Sequence, residues 1–78
     1  MDKAKFGAML MLIVPQVIQL MIQHYGYDEV TASRQFYVSQ VYALLEQEET
    51  KLWQLSPLML FYMYDEEIKT GTITFPEG

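Results

Sequence analysis

The chain has 78 residues, a net charge of −5 and 51% hydrophobic residues, and it contains no cysteine. A chain of this length forms one domain, residues 1–78, which buries only roughly 60% of the surface that its unfolded form exposes. No disulfide can stabilise it, and one histidine without thiolates makes a structural zinc site implausible. The surplus of apolar side chains therefore predicts a homo-oligomer, although a monomer with Met and Tyr side chains on its surface is the alternative.

The five basic residues are scattered along the chain: Lys3, Lys5, Arg34, Lys51 and Lys69. Nucleic-acid binding needs a clustered positive patch that displaces counterions from phosphates, and docking on an anionic membrane needs a similar patch. The charge pattern thus predicts no nucleic-acid partner and no membrane partner. The absence of cysteine is typical of a reducing compartment, which indicates a cytoplasmic protein.

The first predicted element is a long apolar helix. Residues 3–14 resemble a signal peptide, but no small-residue cleavage site follows them, and the glutamines that come next are costly inside a bilayer. Those glutamines, Gln16, Gln19 and Gln23, fall within about 60° of one another on a helix, and the rest of its surface is apolar. We expect contact on two sides, with the chain's own domain and with a second copy. A central core helix in a monomer is the alternative.

Pro15 lies inside this helix and removes one backbone hydrogen bond there. The helix either kinks at Pro15 and extends from about Gly7 to Tyr25, or it starts at Pro15. Val14 is a poor N-cap, which favours the kinked helix. Gly26 is expected to end it, because glycine readily takes the left-handed conformation that terminates helices.

Residues 28–49 have apolar side chains at helical spacing, so we predict helix there, with Asp28 as its N-cap. The local segment FYVSQVY favours a strand when taken alone, but its flanks are helical and the chain offers no obvious partner strand. Ser39 is a second candidate cap. The segment is therefore predicted as either two helices that meet near Tyr37–Ser39 or one bent helix.

The clearest helix signals surround the single tryptophan. Thr50 is expected to cap a short turn through Trp53, and the last helix is expected to start after Ser56 and to end at Gly71. The first half of that helix, residues 58–64, is apolar or aromatic on every side, so we expect it to be buried. The second half is charged and should reach the surface.

The segment 70–78, TGTITFPEG, alternates polar and apolar residues until a proline stops the pattern. A lone strand this short is not stable in water. We expect an extended C-terminal tail that tucks Ile73 and Phe75 against the helices or pairs with the same segment of another chain. The predicted fold is an all-α bundle of three to four helices with this tail.

Residues with catalytic potential do not form a recognisable motif. His24 has no adjacent carboxylate or nucleophile, and its place in the last turn of the first helix indicates capping or surface packing. The carboxylates lie in three groups on different elements, without the spacing of a calcium loop. The serines and glycines lack the context of a nucleophile elbow or a phosphate-binding loop. We therefore predict no enzyme activity, no cofactor and no metal.

Two surfaces are predicted to bind other chains. The first is an apolar interface between copies, on the first and last helices. Its Met and Tyr side chains suit adaptable contacts. It comprises Val17, Ile18, Met21, Ile22, Met59, Tyr62 and Met63. The second is an acidic docking surface for a basic partner, because negative charge near a helix C-terminus is mildly unfavourable without one. It comprises Asp65, Glu66 and Glu67.

The segment 36–71 resembles a pattern found in small uncharacterised bacterial helical proteins. The pattern combines Phe-Tyr-x-Ser (residues 36–39), Thr-Lys-Leu-Trp (50–53), Ser-Pro (56–57) and a final acidic helix. The resemblance covers roughly half of the chain and implies no catalytic residues. Similar small proteins are sometimes encoded beside toxin-like enzymes, so the resemblance implies a neutralising or adaptor role.

Three functional hypotheses follow from these observations. The first is a small protein-protein interaction module that associates with itself. The second is an adaptor or antitoxin-like partner of a neighbouring protein. The third is a DNA-binding helix-turn-helix regulator with residues 28–49 as its reading unit, against which the acidic net charge argues.

Overall fold

The computed structural model describes residues 2–73, and within them the chain forms helices and turns without any strand. The elements are α1 (Lys3–Tyr25), α2 (Glu29–Tyr37), α3 (Gln40–Leu45), two 3₁₀ turns (Glu48–Thr50 and Leu52–Gln54) and α4 (Pro57–Thr70). This confirms the predicted all-α bundle. Of the predicted tail, Ile73 packs against the core as expected, whereas Phe75 lies outside the described residues.

Each helix is preceded by a residue whose side chain accepts a hydrogen bond from the backbone N–H three residues further on. This bond satisfies one of the donors that the start of a helix leaves free. These N-caps are Asp2, Asp28, Ser39 and Ser56. The sequence predicted the last three. Asp2 was missed, so α1 begins four residues before the expected Gly7. Residues 28–49 contain two helices that meet at Val38 and Ser39, which decides between the two predicted alternatives.

Helix α1 continues through Pro15, so the alternative start at that residue is wrong. Pro15 has no N–H to donate to the carbonyl oxygen of Met11, one turn earlier. The side-chain amide of Gln16 donates to the neighbouring carbonyl of Leu12 at 2.8 Å. A 23-residue helix therefore spans the molecule, and α2, α4 and the second 3₁₀ turn pack against it.

The core is formed by the inward faces of all four helices together with Leu52 of the second 3₁₀ turn. Phe36 of α2 and Tyr64 of α4 meet edge to face at its centre, with ring centroids 6.2 Å apart. Such pairs add to the free energy that burial of the rings already provides. The large side chains with no significant exposure are Val17, Met21, Phe36, Val41, Leu45, Leu60 and Tyr64.

The connection between α3 and α4 is held by the single tryptophan. The Nε1 of Trp53 donates to the backbone carbonyl of Glu48 at 2.9 Å, and its ring meets that of Phe6 edge-on. The short turn that contains Trp53 is Leu52–Gln54, and its N-cap position is Lys51 rather than the expected Thr50. The Thr50 hydroxyl nevertheless accepts from the N–H of Leu52 at 3.4 Å, which links the two 3₁₀ turns.

The first half of α4 is not buried on every side as expected. Its inward face consists of Leu60, Phe61, Met63 and Tyr64, and its exposed large side chains are Leu58, Met59 and Tyr62. The reason is geometric: α4 packs against α1 and α3, and successive side chains point in directions 100° apart, so a helix with neighbours on one side cannot bury its full circumference. An apolar strip of α4 therefore remains on the surface.

Candidate functional site

The structure places most of the predicted interface inside the protein. Four of its seven residues belong to the chain's own core: Val17, Ile18, Met21 and Met63. The prediction is wrong for these four, because the face of α1 that carries Val17 and Met21 packs against the other helices. Ile22 is half-buried against the same core, while Met59 and Tyr62 are exposed on α4.

The surface that α1 presents to solvent is a different stripe, which we call the outer face of α1. It consists of Ala4, Ala8, Met11, Leu12, Pro15, Gln16, Gln19 and Gln23. Met11 is 78% exposed and Leu12 is 65% exposed, although both lie in the middle of the longest helix. These two residues were not predicted as a site, because they lie in an apolar run that resembles a signal peptide. The regular spacing of the glutamines was the signal that could have located them, since Leu12 lies one turn before Gln16.

A groove runs along one side of the outer face of α1, and we call it the α1/α4 groove. It has a volume of about 500 Å³ and is lined by Pro15, Gln16, Gln19, Leu20, Ser56, Pro57 and Leu58. Tyr62, which is 55% exposed, lies one turn beyond Leu58 on the same side of α4 and extends the apolar wall. The groove is therefore open, mostly apolar and edged by two glutamine amides.

A second, smaller groove lies on the other side of the outer face, and we call it the α1/α2 groove. It has a volume of about 290 Å³ and is lined by Leu10, Met11, Val14, Pro15, Tyr37 and Tyr42. The rings of Tyr37 and Tyr42 meet edge-on with centroids 4.8 Å apart, which gives the groove an aromatic wall. Pro15 lines both grooves. We call the outer face of α1 together with these two grooves the docking face.

The predicted acidic docking surface is occupied by contacts within the chain. Asp65 accepts a hydrogen bond from the hydroxyl of Tyr25 and forms an ion pair with Lys69 at 2.8 Å. These two partners, Lys69 first, lower the pKa of the Asp65 carboxyl. Desolvation by burial, followed by the Asp65 carboxylate, raises the pKa of the Tyr25 hydroxyl. Asp65 therefore connects α4 to the end of α1.

Glu67 also makes a tertiary contact. Its carboxylate accepts hydrogen bonds from the backbone N–H groups of Gln40 and Val41, at the N-terminus of α3. Glu66 is half-buried and has an interaction of its own. The acidic cluster thus lacks the free carboxylates that a docking surface needs, and this corrects the prediction. The tertiary partners of Asp65 and Glu67 compensate for their unfavourable position near a helix C-terminus.

The single histidine lies beside the core and away from both grooves. The His24 ring packs on that of Phe61 with centroids 4.8 Å apart, and the residue is exposed to solvent. Its predicted role in surface packing fits this contact. Within residues 2–73 no three His, Cys, Asp or Glu side chains are close enough together to hold a metal ion.

Helix α1 is long and apolar enough to cross a membrane by length and composition alone. Signal sequences and the core helices of soluble proteins have the same two properties. In this structure one side of α1 contacts α2 and α4, and its opposite side carries Gln16, Gln19 and Gln23. Three amides on the exposed side would each be costly in hydrocarbon.

Comparison of the chain with protein-family models, with curated proteins and with solved structures gives no match. Of the features described above, the docking face is the one that combines large exposed apolar side chains with concave surface, which is the usual character of a protein-binding site.

Proposed function

We propose that this protein is a self-associating protein-protein interaction module and that the docking face is its contact surface. The observation that carries the proposal is the exposure of Met11 and Leu12 between two apolar grooves. Burying one such side chain contributes about 1.5 to 3 kcal/mol. A second copy that covers both residues on each chain would therefore recover a large part of the free energy that association needs.

The size of the molecule is compatible with this function. Its principal dimensions are 35 × 25 × 18 Å, so its largest face is comparable to the roughly 800 Å² per partner that a stable interface buries. Two residues of the predicted interface remain exposed on α4. Met59 lies next to the lining residue Leu58, and Tyr62 lies one turn beyond it. They would enlarge the contact beside the α1/α4 groove, because methionine and aromatic residues are enriched in protein interfaces relative to the rest of the surface.

The test is the solution mass, measured by light scattering over a micromolar concentration series. The native chain is expected to form dimers or larger species. Leu12→Glu should remove the contribution of the buried leucine, which is at least about 1.5 kcal/mol. Association should therefore weaken at least tenfold, since about 1.4 kcal/mol corresponds to a factor of ten in the dissociation constant. The matched control is Val30→Glu on α2, since Val30 is 66% exposed and lines neither groove.

The control should leave the mass unchanged. A native chain that stays monomeric over the whole series would refute self-association. Equal dissociation by Leu12→Glu and Val30→Glu would refute the docking face as the contact surface, because it would attribute the effect to added charge alone. Circular dichroism of both variants should retain the helical spectrum of the native chain.

A further inference from the structure

The methionines of residues 2–73 differ widely in their access to solvent. Met21 and Met63 belong to the core, at 0% and 4% exposure, and Met9 is partly buried against it. Met59 is 38% exposed, whereas Met11 is 78% exposed and lies on the docking face. A reagent that attacks thioether sulfur in the folded chain therefore reaches Met11 first.

The chain has no competing sulfur of higher reactivity. It contains no cysteine, and thiolates are the sulfur groups that oxidants attack most readily. Oxidation of methionine to its sulfoxide is reversible by dedicated reductases, and it converts a flexible apolar side chain into a polar one. Met11 thus combines exposure, reversible chemistry and a position within the proposed contact surface.

We infer, on the basis of the proposed self-association, that Met11 is a redox-modification site whose oxidation by hydrogen peroxide dissociates the protein. The Met11 sulfur attacks one oxygen of the peroxide, so that an S–O bond forms while the O–O bond breaks. The proton on the transferred oxygen passes to the departing hydroxide, which leaves as water. The sulfur loses two electrons and the peroxide gains them, so no further reactant is needed.

The surroundings of Met11 make the sulfoxide unfavourable in a contact between copies. Met11 lines the α1/α2 groove together with Leu10, Val14, Pro15, Tyr37 and Tyr42. Of these neighbouring side chains, only the two tyrosines carry a polar group. Water solvates the sulfoxide oxygen in the dissociated chain, whereas a second copy that covers the groove removes this water at a cost in free energy. Oxidation of Met11 therefore weakens association.

Association also protects Met11 from oxidation. A second copy that covers the docking face shields the Met11 sulfur, so the side chain reacts in the dissociated chain. The rate of Met11 oxidation should therefore fall as the protein concentration rises through the dissociation constant. In Leu12→Glu, which is expected to associate weakly, the rate should not change over the same range of concentration.

The test treats the native chain with hydrogen peroxide and follows two quantities in the same samples. Peptide mass spectrometry measures the sulfoxide at each methionine, and light scattering measures the solution mass. Met11 should be modified before Met9, Met21, Met59 and Met63. The dissociation constant should then rise at least about tenfold, which corresponds to about 1.4 kcal/mol. Treatment with the two reductases specific for the sulfoxide epimers, and a dithiol as reductant, should restore the original mass.

Two leucine variants assign the effect to one residue. Met11→Leu keeps an apolar side chain of similar volume without a sulfur atom, so it should associate like the native chain and keep its mass after peroxide treatment. Met59→Leu is the matched control, because Met59 is the next most exposed of these methionines. This control should dissociate on oxidation as the native chain does. Circular dichroism of every oxidised sample should retain the helical spectrum, since the buried methionines stay reduced.

Three outcomes would contradict the inference. A native dimer that keeps its mass after complete conversion of Met11 to the sulfoxide would overturn it and leave the proposed function intact. Equal dissociation of oxidised Met11→Leu and the oxidised native chain would do the same, because another residue would then cause the effect. A native chain that is monomeric before peroxide is added would overturn both proposals.

Discussion

Glu67 of α4 accepts hydrogen bonds from the first two backbone N–H groups of α3, at 2.9 Å from Gln40 and 3.1 Å from Val41. The side chain of Ser39 accepts from the next N–H, that of Tyr42, at 3.1 Å. Three of the four donors that a helix leaves free at its beginning are thus satisfied by two side chains. Since α3 has only six residues, far fewer than an isolated helix needs for stability, it depends on this contact with α4.

Replacing Glu67 with alanine should lower the free energy of unfolding by about 1 to 3 kcal/mol, because it removes a charged acceptor from two backbone donors. Urea unfolding followed by the fluorescence of Trp53 measures the change. Glu49→Ala is the matched control, since Glu49 is exposed, and it should stay within about 0.5 kcal/mol of the native chain. Equal losses in the two variants would contradict the capping role of Glu67. Both variants are compared at one concentration at which the chain is monomeric, because association adds to apparent stability.

The contacts of Asp65 predict a loss of stability in acid. Its pKa is lowered in the folded chain by Lys69 and Tyr25, so Asp65 contributes stability above its unfolded pKa of about 4. That contribution is lost as the pH falls through the lower folded pKa. Between about pH 5 and pH 2, the free energy of unfolding should therefore fall less in Asp65→Asn than in the native chain.

The Asp65→Asn variant should still lose some stability in acid. The pKa of Asp28 is also lowered, by its hydrogen bond with Thr31, and Asp28 is present in both chains. Urea unfolding at several pH values gives the two profiles. The control is Gln35→Ala, on an exposed amide of α2, which removes no charge and should keep the native slope. An unchanged profile in Asp65→Asn would show that the carboxylate has similar surroundings in the folded and unfolded chains.

Alanine substitutions at two glycines should change the stability of the chain in opposite directions. Gly26 ends α1 with φ 72°, in the left-handed region, so Gly26→Ala should destabilise the chain by about 1 to 2 kcal/mol. Gly7 lies inside α1, and a Cβ added there meets no atom within 4 Å. Gly7→Ala should therefore stabilise the chain by about 0.5 to 1 kcal/mol, because alanine loses less conformational freedom in a helix. Thermal unfolding of both variants checks the pair, and a gain in Gly26→Ala would refute its role as a cap.

Met21 and Leu12 separate the core of α1 from its outer face. Met21 is fully buried, so Met21→Ala should lower the unfolding free energy of the monomer by about 2 to 5 kcal/mol. Leu12→Ala should change it by less than about 0.5 kcal/mol, because its side chain is already in water. Light scattering should show the reverse order for association at concentrations where both variants are folded. A weakened dimer in Met21→Ala without loss of monomer stability would restore the original interface prediction for that residue.

The amino-acid sequence by itself determined where most elements begin and end. Asp28, Ser39 and Ser56 cap helices as predicted, and Gly26 and Gly71 end them in the left-handed conformation. These signals could be read because a cap is a local interaction: the side chain and the N–H that it satisfies are three residues apart. The end of α1 and both ends of α4 were therefore predictable without knowledge of the packing.

The tertiary structure decided which apolar residues face inward and which carboxylates are free. Val17 and Met21 are in the core and Met11 and Leu12 are in solvent, yet all four are apolar residues of one helix that is apolar over most of its surface. Asp65 and Glu67 are occupied by Tyr25 and by the start of α3, at sequence separations of 40 and 27 residues. Local pattern contains no information about such distant partners, because burial and long-range hydrogen bonds arise only when the helices pack together.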